Sequence, residues 1–193
     1  MKQLNTTIKT ILPLICVVML LSCEEIKNLT TLEIPVKALE INFNAATPEN
    51  IPDVRQSTAA TEPGMRTFNG KDTIKIDSEE FEPYAKYANL VKLIKVSDVK
   101  VTITSDNGGS VCKNVTLKSS ALNSSWSCEE YALNTPVQAS QELNDLIHKL
   151  LDAVLQEDDI DFEFYGETDA PNGSKINIKL TINGVLTVQL LKD

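Results

Sequence analysis

Thiols and carboxylates are the side chains of this chain that could do chemistry, because histidine is nearly missing. His148 is the one histidine, which excludes multi-histidine metal sites and leaves a Ser-His-Asp arrangement a single place to be built. His148 falls at the edge of the polar face of an expected helix, and nothing in the sequence sets a serine beside it. There is no Gly-x-Ser-x-Gly elbow, no phosphate-binding glycine loop and no His-Glu-x-x-His. The densest acidic run is Glu157, Asp158, Asp159, Asp161 and Glu163. On a strand, Asp161 and Glu163 share the face opposite Ile160 and Phe162. Such a pair could meet a Ca²⁺, although the Asp-x-Asp-x-Asp-Gly loop of a dedicated calcium site is missing. The plainer reading is a solvated strand face whose charges discourage edge-to-edge pairing. Trp126 and Tyr165 are the aromatics available for a glycan platform.

The N-terminal segment carries the most specific signal. Lys2 and Lys9 precede an apolar run, Ile11 to Leu21, broken by Pro13. A membrane-spanning helix needs about 20 apolar residues, so this shorter run reads as the h-region of a signal peptide. It ends in Leu20-Leu21-Ser22-Cys23, which resembles the lipobox of bacterial lipoproteins. The resemblance implies cleavage before Cys23, a diacylglycerol on its thiol and a fatty acid such as palmitate on the new amine. Two or more chains anchor stably, since each buried CH₂ contributes about 0.8 kcal/mol and one chain is marginal. Glu24 and Glu25 follow directly and resemble the acidic signal that sends lipoproteins of the Bacteroidetes group to the cell surface. Asp72-Thr73-Ile74 resembles the short O-glycosylation motif of the same group, with Thr73 as acceptor.

Of the four cysteines, Cys16 would leave with the signal peptide and Cys23 would carry lipid. Cys112 and Cys128 remain, in a compartment that permits disulfides. Folding the chain at Ser120, within the turn-like stretch 119–124, puts Cys112 opposite Cys128, so a structural disulfide is expected. A redox pair would instead show a tight Cys-x-x-Cys at a helix start, and none is present.

The elements that must position these groups are mostly strands. Period-2 alternation marks Leu39-Ile41-Phe43, Val99-Val101-Ile103, Ile160-Phe162-Phe164 and Ile176-Ile178-Leu180-Ile182. Val111, Val115 and Leu117 mark a core face, with Cys112 pointing the other way, and Trp126 to Leu133 is the partner strand. A short strand is expected at 73–77 and a loop over 45–70. Asp77-Ser78-Glu79-Glu80 predicts a short helix over 79–91. Thr135, Pro136 and Gln138 predict a long helix over 136–156, with Leu143, Leu146, Ile147, Leu150 and Val154 on one stripe. Ile182-Asn183-Gly184 is expected as a hairpin loop, with Leu180 opposite Leu186 and Gly184 at positive φ.

The fold these elements specify is mainly β: an antiparallel β-sandwich of about eight strands with one long crossover helix. Its expected organisation is signal peptide 1–22, lipidated tether 23–37 and one domain over 38–193. A net charge of −9 and 42% apolar residues fit one globular domain and exclude the basic face a nucleic-acid binder needs. No cofactor motif is present. The function expected is that of a membrane-anchored outer-membrane lipoprotein with a non-enzymatic binding or structural domain. Its partners would be the membrane, through the lipid, and an envelope protein or glycan. The alternative is a small cell-envelope hydrolase or glycan-modifying enzyme using carboxylates.

Overall fold

The computed structural model describes residues 31–49 and 64–189. The expected signal peptide, Cys23, Glu24, Glu25 and most of the proline-rich loop lie outside the described residues. The strands are β1 (Thr31–Ala46), β2 (Arg66–Ile74), β3 (Val91–Ser105), β4 (Val111–Ser119), β5 (Ser124–Ala132), β6 (Val137–Gln138), β7 (Ile160–Thr168) and β8 (Lys175–Gln189). The helices are α1 (Glu82–Ala85) and α2 (Gln141–Leu155). All pairings are antiparallel, and the order β5-β4-β7-β2-β1-β8-β3-β6 makes one eight-stranded sheet curled into a half-barrel. The mainly β antiparallel class is as expected. The second layer is not another sheet but α2, which packs against β3, β5 and β7. Those strands come from both ends and the middle of the order, so the helix fills the hollow of the curl.

Alternation drives this closure. Ile41 and Phe43 lie opposite Leu180 and Ile178. All four are essentially buried, as are Val99, Val101, Ile103, Phe162 and Phe164. The apolar stripe of α2 is buried against them, from Leu143 through Val154. The two ends of the sheet meet beside the helix. The Tyr131 hydroxyl on β5 lies 2.6 Å from the Val101 carbonyl on β3 and 2.6 Å from that of Thr135. Burial pushes this hydroxyl up to about 12, so it stays a protonated donor across the seam.

Several expectations are corrected. There is no hairpin at 182–184: β8 runs straight through, with Gly184 opposite Val36 on one side and Val96 on the other. Gly184 is not among the positive-φ glycines. Its role is close approach, because a Cβ there would lie 2.5 Å from the Lys95 carbonyl oxygen. Both flanking strands bulge beside it, between Val36 and Leu39 and between Val96 and Asp98. Asn183 serves these bulges, accepting from the Ala38 N–H at 2.9 Å.

The long helix starts at Gln141 with Ser140 as its N-cap, accepting from the Leu143 N–H at 3.3 Å. Residues 137–138 instead pair with Lys100 and Val101, which takes them out of the helix. The short helix is a single turn, and Asn89, four residues beyond its end and at φ 60°, donates its N–H to the Leu155 carbonyl. Residues 31–36, expected in the tether, pair with β8 as part of β1. The strand expected at 73–77 ends at Ile74 and begins earlier, at Arg66.

Candidate functional site

The outward face of β2, β7 and β4 gathers the end of the acidic run, Asp161 and Glu163. Phe162 and Phe164 point into the core, so Asp161, Glu163 and Tyr165 point out, and register sets their partners. Lys71 pairs directly with Glu163 and Thr73 with Asp161; Lys118 on β4 pairs with Glu163 from the other side. Glu163 is held by Lys71 at 2.6 Å and Lys118 at 3.0 Å. Asp161 accepts the Thr73 hydroxyl at 2.6 Å, and Lys75 meets Asp159 at 2.6 Å. The Lys118 ammonium also lies 5.7 Å from the Tyr165 ring centroid.

A surface cleft of about 610 Å³ opens over this ladder, lined by Lys71, Thr73, Lys118, Ser120, Asp161 and Glu163 among others. A second hollow of about 510 Å³ lies across the β4–β5 turn, where Lys118 and Ser120 face Glu142, Asp145 and Lys149 of α2. Hydroxyl and charged side chains line both hollows, which suits hydrogen bonding to a hydroxyl-rich or charged ligand better than enclosing an apolar one.

The two lysines hold the Glu163 carboxyl down at about 2, the reverse of the raised value a general acid requires. Its folded value is below the ordinary carboxylate value of about 4.3. Its stabilising contribution is therefore present above that value and lost as pH falls toward 2. Thermal unfolding between pH 5 and 2 should show a loss in the parent that Glu163→Gln does not share, so the two curves converge at the acid end. Parallel curves would show that the lysine pairs contribute nothing. The effect should shrink in salt, because both partners are solvent-exposed.

Asp161 and Glu163 share a face as expected, but each is engaged by hydroxyl or ammonium donors. Among the described residues no group of three or more His, Cys, Asp or Glu could hold a metal ion. Trp126 and Tyr165 do not form a platform. Trp126 is 5% exposed and packs inward opposite Leu117, whereas Tyr165 is 42% exposed on the outer face. Thr73 is exposed, with its hydroxyl donated to Asp161. His148 is half-buried on α2.

The disulfide is absent. Cys112 and Cys128 are free, because Cys112 pairs with Tyr131 and Cys128 with Val115. That three-residue offset is roughly 10 Å along a strand, beyond disulfide reach. The β4–β5 loop is centred past Ser120, since Ser119 pairs with Ser124. Asn114, at φ 51°, switches the phase of β4 so that Cys112 as well as Val115 faces the core. Burial pushes the Cys112 thiol up to about 11, which makes it an inert core group.

Lys71 and Lys118 were not singled out from sequence; their signal is their outward parity on strands flanking the acidic one. Asp169 was also missed. Burial works to raise its carboxyl, but the Ser110 hydroxyl and the Ser110 and Val111 N–H groups hold it below the ordinary value. It thereby caps the start of β4.

The fold and this face define a helix-filled antiparallel half-barrel with a polar, ion-paired outer surface. No known protein family matches the chain, and no curated protein matches it.

Proposed function

We propose that this is a lipid-anchored protein of the bacterial outer membrane whose half-barrel is a non-enzymatic binding or structural module. The observation that carries the reading is Leu20-Leu21-Ser22-Cys23 after a short apolar run. Cys23 precedes β1 by eight residues, at most about 28 Å of extended chain, so the anchor would hold the domain close to the bilayer. No helix among the described residues is long and apolar enough to cross a membrane. Glu24 and Glu25 support display at the cell surface, with an envelope protein or glycan as partner. The binding reading is preferred over hydrolysis because Asp161 and Glu163 are both occupied by partners on neighbouring strands, Thr73 for the one and two lysines for the other.

Fractionation tests the anchor. The parent should stay in the membrane pellet through a carbonate wash, and Cys23→Ala should move to the supernatant or remain as uncleaved precursor. Equal release of mature parent and variant would contradict the reading. Protease added to intact cells then separates surface from periplasmic display.

A further inference from the structure

The sheet is continuous in order but not in hydrogen bonding. β1 and β2 share one registered pair, Ala46 with Asn69. Just below it, Gly70 lets the Asn44 carbonyl approach so closely that a Cβ would lie 2.3 Å from the oxygen. One step further the Asp72 carboxylate accepts the Asn44 N–H at 2.8 Å, in the place of a strand partner. Beyond that the two strands separate. Phe81 and Tyr84 of the segment around α1 are both buried, and Tyr84 lines a cleft together with Leu39, Glu40 and Asn42 of β1.

This leaves part of β1 as a strand edge in the interior of the sheet. The Asn44 N–H points away from β8. Backbone direction alternates along an antiparallel strand, so the N–H groups of Asn42 and Glu40 point the same way. Neither backbone makes a bond to the α1 segment among the described residues. Both residues line a cleft of about 450 Å³ whose opposite wall includes Glu79, Glu80 and Tyr84, with Lys37 at one end. Glu40 is already paired with Lys179 at 3.0 Å, so Glu79 and Glu80 set the charge of the rim. An exposed row of strand N–H and C=O groups is a template for another strand.

We propose that this cleft is a strand-acceptor site: an extended, basic segment of a partner protein adds to β1 through main-chain hydrogen bonds to Glu40 and Asn42, while its cationic side chains meet Glu79 and Glu80. The proposal deepens the binding-module reading by naming the class of partner, and it rests on that reading only for the partner being in the envelope. The chain's own loop between β1 and β2 is a poorer occupant, since it carries Glu49, Asp53 and Glu62 against Arg55.

Amide exchange by NMR on the full chain in detergent micelles tests the site directly. In the free protein the amides of Glu40 and Asn42 should exchange at least about 100-fold faster than those of Ile41 and Phe43, which face β8. A capped Lys-Val-Lys-Val-Lys peptide should slow Glu40 and Asn42 by about 10-fold or more, and a Glu-Val-Glu-Val-Glu peptide should not. Glu79→Lys with Glu80→Lys, both on the exposed rim, should abolish the protection without changing exchange at Ile41 or Phe43. Glu40 and Asn42 already protected in the free protein would overturn the proposal, because the edge would then be filled by the chain itself. Equal protection by both peptides, or none at millimolar peptide, would overturn it as well. None of these outcomes depends on lipidation of Cys23, so the site and the anchor can fail separately.

Discussion

Replacing Gly184 by valine is expected to cost about 2–3 kcal/mol, the usual scale for forcing atoms into a filled site. β8 is flanked on both sides, and the Lys95 carbonyl oxygen lies 2.5 Å from where a Cβ would be. The Val96 Cα follows at 3.2 Å, so the obstruction is backbone, which yields less readily than a side-chain tip. Asparagine at this position separates close approach from positive φ. A left-handed position tolerates asparagine, whereas the contact with Lys95 penalises any Cβ, so Gly184→Asn should be destabilised along with Gly184→Ala. Asn183→Ser should cost less, about 1 kcal/mol, through loss of the bond from the Ala38 N–H. Urea unfolding midpoints measure all four, and a neutral Gly184→Val would contradict the close packing of β8 against β3.

Phe43→Ala should cost about 3–5 kcal/mol, the scale for truncating a fully buried phenylalanine. Its ring is fully buried and lies 5.1 Å from Phe162 and 6.0 Å from Phe164, tilted to both. Those contacts join β1 to β7 across the place where β1 and β2 share a single registered pair. The aromatic cluster, more than main-chain bonding, ties the two halves of the curl together at that point. At roughly 2–4 °C per kcal/mol for a domain of this size, the melting temperature should fall by about 10 °C. Tyr165→Ala, one residue from Phe164 but on the outer face, serves as the control and should change it by no more than a few degrees. Comparable losses in the two variants would show that the inward and outward faces of β7 are misassigned.

Alternation made most of the sheet legible. Leu39-Ile41-Phe43, Val99-Val101-Ile103 and Ile160-Phe162-Phe164 all face the core, because burying one face of a pleated strand demands period two. The α2 stripe was legible for the same kind of reason, at period 3.6. Features that interrupt a period were not. Asn183-Gly184 has the composition of a turn. The buried apolar positions on either side of it, Ile176 to Ile182 and Leu186 to Val188, are even-numbered, however, and a straight strand satisfies that parity as well as a three-residue loop does. Asn114 at positive φ switches the phase of β4, so parity alone put Cys112 on the wrong face. Thr135-Pro136 has the residues of a helix start, but β3 offers Val137 and Gln138 a strand partner that local sequence does not reveal. The ion-paired face was legible in half. Asp161 and Glu163 were placed together by parity, but Lys71 and Lys118 come from strands whose adjacency only the topology supplies. The interior edge at Glu40 and Asn42 had no sequence signal, because it depends on where β2 parts from β1.

The acyl state of Cys23 tests the central proposal most directly. Cells fed an alkyne fatty acid and probed by azide coupling should give a labelled band for the parent and none for Cys23→Ala. Mass analysis of the parent's N-terminal peptide should show a mature chain beginning at Cys23 with diacylglycerol on the thiol. Equal labelling of parent and variant, or an unmodified N-terminal peptide, would contradict the account of this protein as a lipid-anchored envelope module.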